Sequence, residues 1–97
     1  MAQFDVHRLA GGALVVDLQT DLIGLDATRI VAPLREEGRY AAFRGITPVV
    51  EFDAALWIVR LQEMAAVPAS ELGRPIGSLA RWQDEIKQGA DILMRGF

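Results

Sequence analysis

The spacing of apolar residues changes near Ser78, and this change constrains the fold more than any other feature of the chain. Before Ser78, apolar and polar residues alternate in short runs separated by glycine and proline, a pattern typical of half-buried β-strands. After Ser78, apolar residues recur every three or four positions, as on one face of an α-helix. This apolar stripe consists of Leu79, Trp82, Ile86, Ala90 and Leu93. The sequence therefore predicts a mainly β, antiparallel structure followed by one C-terminal helix, with Ser78 as its N-cap and Gly96 at its end.

The alternating segments predict two hairpins and a further strand. The segments QFDVHR and ALVVDLQT flank a Gly-Gly pair, which predicts a two-residue hairpin turn because glycine tolerates positive φ. The segments TPVVEF and AALWIVRLQ predict a second hairpin around Asp53. Between the hairpins, RIVAPL predicts another strand, and Pro33 places it at a sheet edge or a bulge because proline cannot donate to a ladder.

Length and composition indicate a small intracellular domain. The 97 residues predict a single domain over 1–97, and a hydrophobic fraction of 52% predicts apolar surface at a subunit interface. A net charge of -3, with the basic residues scattered singly, argues against direct binding to nucleic acid. Because the chain has no cysteine, no signal-peptide pattern and no apolar run of membrane-spanning length, we expect a soluble cytoplasmic protein.

The residues that could support catalysis form no recognisable site. His7 is the only histidine, and its place in the alternation predicts an exposed strand residue rather than a catalytic one. Asp17, Asp21 and Asp26 do not match a calcium-binding loop and are expected on a solvated strand face and in turns. The glycines lack a phosphate-binding pattern, and both tryptophans are in phase with apolar neighbours. The residues therefore predict no enzymatic activity, no cofactor and no metal.

Two apolar stretches are not explained by the predicted core. TDLIGLDA places Leu22, Ile23 and Leu25 in a loop, although loops normally run over the surface. ILMRGF places apolar residues where a chain frays most readily. Either both stretches fold back onto the protein or they form a contact surface for a partner, and periodicity alone leaves both interpretations open.

Six motifs, taken in order, resemble those of a known family. They are Gln3 and Phe4 with Val6, VDLQTDLI at 16–23, RIVAPL at 29–34, PVVEF at 48–52, MAAVPASELG at 64–73, and DEIKQGADILM at 84–94 followed by Gly96. In order and spacing the chain resembles the CcdB family nearly from end to end. Members of that family are the toxins of plasmid toxin–antitoxin modules, and they inhibit DNA gyrase.

The resemblance implies a fold, partners and two binding sites. The fold is an SH3-like antiparallel β-barrel with a C-terminal helix, CcdB-like, assembled as a homodimer. Family members are not enzymes; they bind the A subunit of DNA gyrase and trap gyrase on cleaved DNA. The residues that match the gyrase-binding surface are Leu22, Ile23, Ile92, Arg95, Gly96 and Phe97. A cognate antitoxin with a disordered C-terminal segment is expected to fold onto the toxin, partly over Arg8, Leu9, Ala10, Gly11 and Gly12.

One position departs from the family pattern and keeps other functions open. The well-studied motif reads Phe-Trp-Gly-Ile, whereas this chain has Arg95 before Gly96, so an arginine replaces the tryptophan. One alternative is a diverged module that binds the antitoxin and regulates its operon without contacting gyrase. Another is an endoribonuclease, since mRNA-cleaving toxins share this type of barrel by analogy; His7 or Arg60 would then be required for cleavage.

Overall fold

A computed structural model of the chain describes residues 2–21, 27–38 and 45–96. The strands are β1 (Asp5–Arg8), β2 (Leu14–Asp17), β3 (Thr28–Glu36), β4 (Val49–Phe52), β5 (Ala55–Val59), β6 (Ala65–Pro68) and β7 (Gly77–Ser78), and the helix is α1 (Gln83–Arg95). Turns of 3₁₀ helix lie at Leu61–Glu63, Ala69–Glu71 and Ala80–Trp82. Within these described ranges, no helix is both long enough and apolar enough to cross a membrane.

The strands form one antiparallel sheet that curves into a half-barrel. Their order is β4-β5-β3-β2-β1-β7, and β6 pairs with β3. The nine-residue β3 is the central strand, because β2 runs along one side of it while β6 and then β5 pair along the other. The mainly β fold with one C-terminal helix, predicted from the sequence, is confirmed.

Pro33 lies inside this central strand, so its predicted position at an edge or a bulge is wrong. Pro33 is paired with Val15 of β2, and its carbonyl oxygen accepts a hydrogen bond from the Arg60 nitrogen at 3.0 Å on the opposite side. On that opposite side the pairing with β6 ends at Val31 and the pairing with β5 begins at Leu34. The donor that proline lacks therefore falls between two partner strands, where its absence interrupts neither ladder.

Both predicted hairpins are present, and their turns have different geometries. β1 and β2 are joined through a three-residue turn, 10–12, rather than the predicted two-residue turn. Its Gly12 nitrogen donates to the Leu9 carbonyl at 2.8 Å, and Gly12 has a φ of 95°. β4 and β5 are joined by Asp53 and Ala54, whose φ angles of 53° and 61° are those of a type I′ turn.

The inner face of the half-barrel holds the main hydrophobic core, and α1 covers it. The buried residues of this core are Phe4, Val6, Leu14, Val16, Ala32, Leu34, Val50, Val59, Leu61, Leu79 and Ile86. Trp82, Ala90 and Leu93 are partly buried and pack against this core. All five residues of the predicted helical stripe therefore face the core, as expected from their spacing.

The sequence prediction for α1 is correct at the C-terminal end of the helix and wrong at its N-terminal end. Ser78 is not the N-cap of the helix, so that prediction is wrong; its hydroxyl accepts a hydrogen bond from the Ala80 nitrogen at 3.1 Å, at the start of the short 3₁₀ turn that precedes the helix. The α-helix itself begins five residues later, at Gln83. At the other end, Gly96 adopts the left-handed conformation, with a φ of 86°, and ends the helix as predicted.

The outer face of the sheet is also covered, which makes two predictions from strand alternation wrong. Val15, Val31 and Leu72 form a second buried cluster on that face. His7, predicted to be exposed, is fully buried, and its Nδ1–H group donates to the Leu72 carbonyl at 3.1 Å. Asp17, predicted to be solvated, is also fully buried, and an arginine of β3 binds it. Alternation identifies the residues that share a face, but not whether a later segment covers that face.

Candidate protein-binding site

The C-terminal end of α1 extends beyond the core that the helix covers. The apolar stripe ends at Leu93, and the three residues that follow, Met94, Arg95 and Gly96, are exposed. Met94 leaves 75% of its surface open to solvent, more than Leu56 at 51% or Ile76 at 47%. This end of the helix therefore presents an apolar and a cationic side chain that the packing of the chain itself does not require.

Ile92 and Arg95 differ in what they contribute to this end of the helix. Ile92 is half-buried and approaches the chain at Gly45, where an added Cβ would lie 3.1 Å from Ile92 Cδ1. Its carbonyl also accepts the closing hydrogen bond of the helix from the Gly96 nitrogen at 2.8 Å. Arg95 lies in the last turn, where a cation interacts favourably with the helix dipole. Phe97, the sixth predicted gyrase-binding residue, lies outside the described residues.

The other half of the predicted gyrase-binding surface, Leu22 and Ile23, also lies outside the described residues, as do Leu25 and Asp26. The described positions on either side of this stretch are tied to the barrel. Asp21 Oδ1 accepts a hydrogen bond from the Gln3 nitrogen at 2.9 Å, and the Ala27 carbonyl accepts one from the Ala69 nitrogen at 2.8 Å. The two described residues that flank this stretch, Asp21 and Ala27, are therefore both held to the barrel by hydrogen bonds.

A groove of about 360 Å³ connects the start of β1 with α1. One wall of this β1–α1 groove contains Gln3, Phe4 and Leu18, and the other contains Lys87, Ala90 and Asp91. Lys87 Nζ lies 5.8 Å from the centre of the Phe4 ring, a distance suited to a cation–π contact. The groove places the face of the helix beside the chain segment that leads to Leu22 and Ile23.

A buried ion pair joins β2 and β3 close to this groove. Arg29 Nη2 lies 2.8 Å from Asp17 Oδ2, and Arg29 Nε donates to the same oxygen at 2.9 Å. Both side chains are almost wholly buried. The sequence pattern did not lead to a prediction of this pair. The signal that could have indicated it is an acidic and a basic residue on neighbouring strands whose two faces are both apolar.

The predicted antitoxin-binding residues form the exposed first hairpin turn. Arg8, Ala10, Gly11 and Gly12 are exposed, whereas Leu9 is half-buried against the outer cluster. Arg8 Nη1 donates to the Gly12 carbonyl at 3.2 Å, so the arginine stabilises its own turn. A second groove, of about 350 Å³, lies between this turn and the strands β3 and β5; Arg8, Arg35 and Trp57 are among its lining residues.

The positions of the polar residues also bear on catalysis. His7 has no exposed surface, so it cannot exchange a proton with a bound substrate at the surface. Arg60 forms an ion pair with Glu63, with Nη2 and Oε2 2.8 Å apart, and Arg35 binds the other oxygen of Glu63 at 3.3 Å. Among the described residues, no group of three or more histidine, cysteine or acidic side chains lies close enough to hold a metal ion.

The fold places the protein in a class of small barrels with one terminal helix. It is similar to the toxin MazF-mt6 from Mycobacterium tuberculosis, with a TM-score of 0.74 over 93% of each chain. The two sequences are 17% identical over this alignment, so the similarity concerns the fold alone. It agrees with the SH3-like, CcdB-like barrel predicted from the sequence.

The sequence gives the more specific assignment. The family described as CcdB protein matches residues 3–96, which is nearly the whole chain. The chain belongs to the CcdB family, and the resemblance seen in its motifs is confirmed. Membership supports the role of a toxin in a toxin–antitoxin module.

Proposed function

We propose that this protein is the toxin of a type II toxin–antitoxin module and that it poisons DNA gyrase in the cytoplasm by binding the A subunit. The observation that carries the proposal is the exposed end of α1. In the CcdB family, the end of the C-terminal helix is part of the surface that binds gyrase. Arg95 and Gly96 are exposed and Met94 is 75% exposed. Because the core stripe ends at Leu93, these residues are available to a partner.

The active form is proposed to be a homodimer. Ile30, Val49, Leu56 and Ile76 are large apolar residues whose side chains are exposed in the single chain. They supply apolar surface of the kind that a subunit interface buries. Analytical ultracentrifugation over a range of concentrations tests this assembly, and a monomer at every concentration would contradict it.

Arg95 determines which gyrase this protein can attack. The tryptophan of the family motif packs against a gyrase arginine, and such a contact contributes about 0.5–2 kcal/mol. Arg95 removes this contact and would place its positive charge beside that of the gyrase arginine. Two like charges together at an interface cost on the order of several kcal/mol. We therefore propose that the target gyrase carries an acidic or aromatic residue at the matching position.

Gyrase inhibition is measured directly with purified proteins. Expression of the toxin alone is expected to arrest bacterial growth, and the purified toxin is expected to inhibit supercoiling by gyrase from the source organism and to accumulate cleaved DNA. Gyrase of the familiar type is expected to respond less, and changing its contact arginine to glutamate is expected to increase the response. Failure to inhibit the native gyrase or to trap cleaved DNA would contradict the proposal.

Truncation separates toxicity from folding. Removing residues 95–97 is expected to abolish gyrase inhibition while lowering the free energy of unfolding by less than about 1 kcal/mol, since Arg95 and Gly96 are exposed and exposed residues contribute little to stability. The matched control is Arg74→Ala, which removes an exposed arginine from a loop and is expected to retain inhibition. If the truncated protein unfolds, the tail belongs to the core and the binding assignment is wrong.

We propose that the cognate antitoxin binds at the first hairpin turn, over residues 8–12. The exposed backbone of this turn and the adjoining groove of about 350 Å³ support the assignment, because an extended segment could lie in that groove. Replacing Arg8 by alanine is expected to weaken antitoxin binding without affecting gyrase inhibition. Equal loss of both activities would argue against two separate surfaces.

Arg95 also favours a second candidate, a diverged module that binds its antitoxin and regulates its operon without contacting gyrase. This candidate requires antitoxin binding and operator binding of the complex in the absence of gyrase inhibition. The endoribonuclease alternative receives less support, since His7 is buried and Arg60 is paired with Glu63. Cleavage of RNA by the purified protein, lost on changing His7 or Arg60, would reverse this ranking.

A further inference from the structure

The three methionines are the only sulfur-containing residues of the chain, because it has no cysteine. Met1 lies outside the described residues. Met64 is half-buried and packs against the main hydrophobic core, whereas Met94 leaves 75% of its surface open to solvent. A dissolved oxidant must reach the sulfur of a methionine in order to oxidise it. Of the two described methionines, Met94 is therefore the one that such an oxidant reaches more readily.

Met94 occupies the last turn of α1, one residue beyond the apolar stripe. Leu93 packs against the core, and the Gly96 nitrogen donates to the Ile92 carbonyl at 2.8 Å, which closes the helix. The backbone at Met94 is thus held by its neighbours while its side chain meets solvent. An oxygen added to this sulfur is expected to leave the core unchanged, whereas an oxygen added to Met64 would place a polar group against the core.

Met94 also differs in position from the other large apolar side chains that are exposed in the described part of the chain. The others lie on strands or immediately before one, and they are Ile30, Val49, Leu56 and Ile76. Met94 instead lies on the helix, next to Arg95 and Gly96. Its side chain therefore belongs to the exposed end of α1, where a new polar group would change the surface that a partner meets.

We propose that Met94 is a reversible oxidation site and that its oxidation weakens binding at the exposed end of α1. This inference rests on the proposed function, because it assumes that gyrase contacts this end of the helix. With hydrogen peroxide as the oxidant, the sulfur attacks one peroxide oxygen: the S–O bond forms, the O–O bond breaks, the sulfur gives up two electrons and the other oxygen leaves as water. The product is methionine sulfoxide, which is polar where the thioether is apolar. Methionine sulfoxide reductases reverse the step, and a pair of thiols supplies the two electrons.

The oxidation rate of each methionine is the first measurement. The folded wild-type protein is treated with hydrogen peroxide, and peptide mass spectrometry follows the addition of one oxygen at Met94 and at Met64. Met94 is expected to react roughly fivefold faster or more, because its sulfur is the more accessible one. The unfolding temperature is expected to stay near that of the untreated protein while Met94 reacts. Equal rates at the two positions would overturn the inference.

Gyrase inhibition is then measured after catalase has removed the peroxide, so that gyrase itself is not oxidised. The concentration needed for half-inhibition is expected to rise roughly tenfold when Met94 is oxidised, as for the loss of an apolar contact, and to return after treatment with methionine sulfoxide reductase. Two variants assign the change to one residue. Inhibition by Met94→Leu is expected to be the same before and after peroxide, although Met1 and Met64 are still present. Met64→Leu is expected to remain sensitive to peroxide.

Three outcomes separate the inference from the proposed function. Unchanged inhibition by the wild-type protein after complete oxidation of Met94 would overturn the inference. Equal sensitivity of Met94→Leu and the wild-type protein would overturn it as well, since another methionine would then be responsible. A protein that does not inhibit gyrase even before oxidation would contradict the proposed function instead, and the two oxidation rates would still show whether Met94 is the reactive methionine.

Discussion

Replacing Gly89 of α1 by alanine tests how closely the helix packs on the barrel. Alanine is the better helix former by about 1 kcal/mol, so helix propensity alone predicts a more stable protein. The structure predicts the opposite sign. A Cβ on Gly89 would lie 2.5 Å from the Ile46 carbonyl oxygen and 2.8 Å from Leu61 Cδ1, and the backbone oxygen cannot move aside by rotating a side chain.

The two opposing contributions give the size of the effect. Overpacking of a filled site costs about 1–3 kcal/mol, and a backbone clash belongs near the upper end of that range. After the gain of about 1 kcal/mol from helix propensity, the expected net loss is about 1–2 kcal/mol. For a domain of this size, such a loss lowers the unfolding temperature by roughly 4–15 °C.

Thermal and urea unfolding, followed by circular dichroism at one fixed protein concentration, measure this loss. The matched control is Gly11→Ala, because no described atom lies within 4 Å of the Cβ it would add; its stability is expected to change by less than about 0.5 kcal/mol. A Gly89→Ala protein that unfolds at a higher temperature than wild type would refute the reasoning, since α1 could not then lie so close to the Ile46 carbonyl.

Two further substitutions test the polar and turn geometry. Arg29→Met leaves the buried carboxylate of Asp17 without its cation and is expected to lower the free energy of unfolding by about 3–5 kcal/mol; chemical denaturation measures the loss, and adding Asp17→Leu should recover part of it. Ala54→Gly relieves a left-handed alanine, worth about 1–2 kcal/mol, against a glycine entropy cost of about 0.5–1 kcal/mol. A net gain of about 0.5–1 kcal/mol is therefore expected, and an unfolding temperature that does not rise would contradict the type I′ assignment.

The elements of the fold were predictable wherever a local pattern determines them. The two hairpins follow from alternation and turn residues, and the helix follows from the stripe that starts at Leu79. The errors occur where a distant segment decides the outcome. Leu72 covers His7 from 65 positions away, and β6 and β5 meet at Pro33 on the same side of β3. Neither arrangement leaves a signal in the residues beside His7 or Pro33.

The candidate site could be predicted only from the family motifs. The spacing of apolar residues indicates which side chains pack in the core of the same chain, and not which ones bind a partner. The stripe identifies Leu93 as a core residue but says nothing about Arg95, whose side chain the barrel does not use. For the same reason, the fold places little constraint on the residue at this position. An arginine in place of the family's tryptophan therefore changes the stability of the barrel only slightly, whereas it changes the charge and shape presented to a partner. Since variation at such a position is limited by the partner rather than by the fold, Arg95 is more informative about the partner of the proposed site than about the barrel itself.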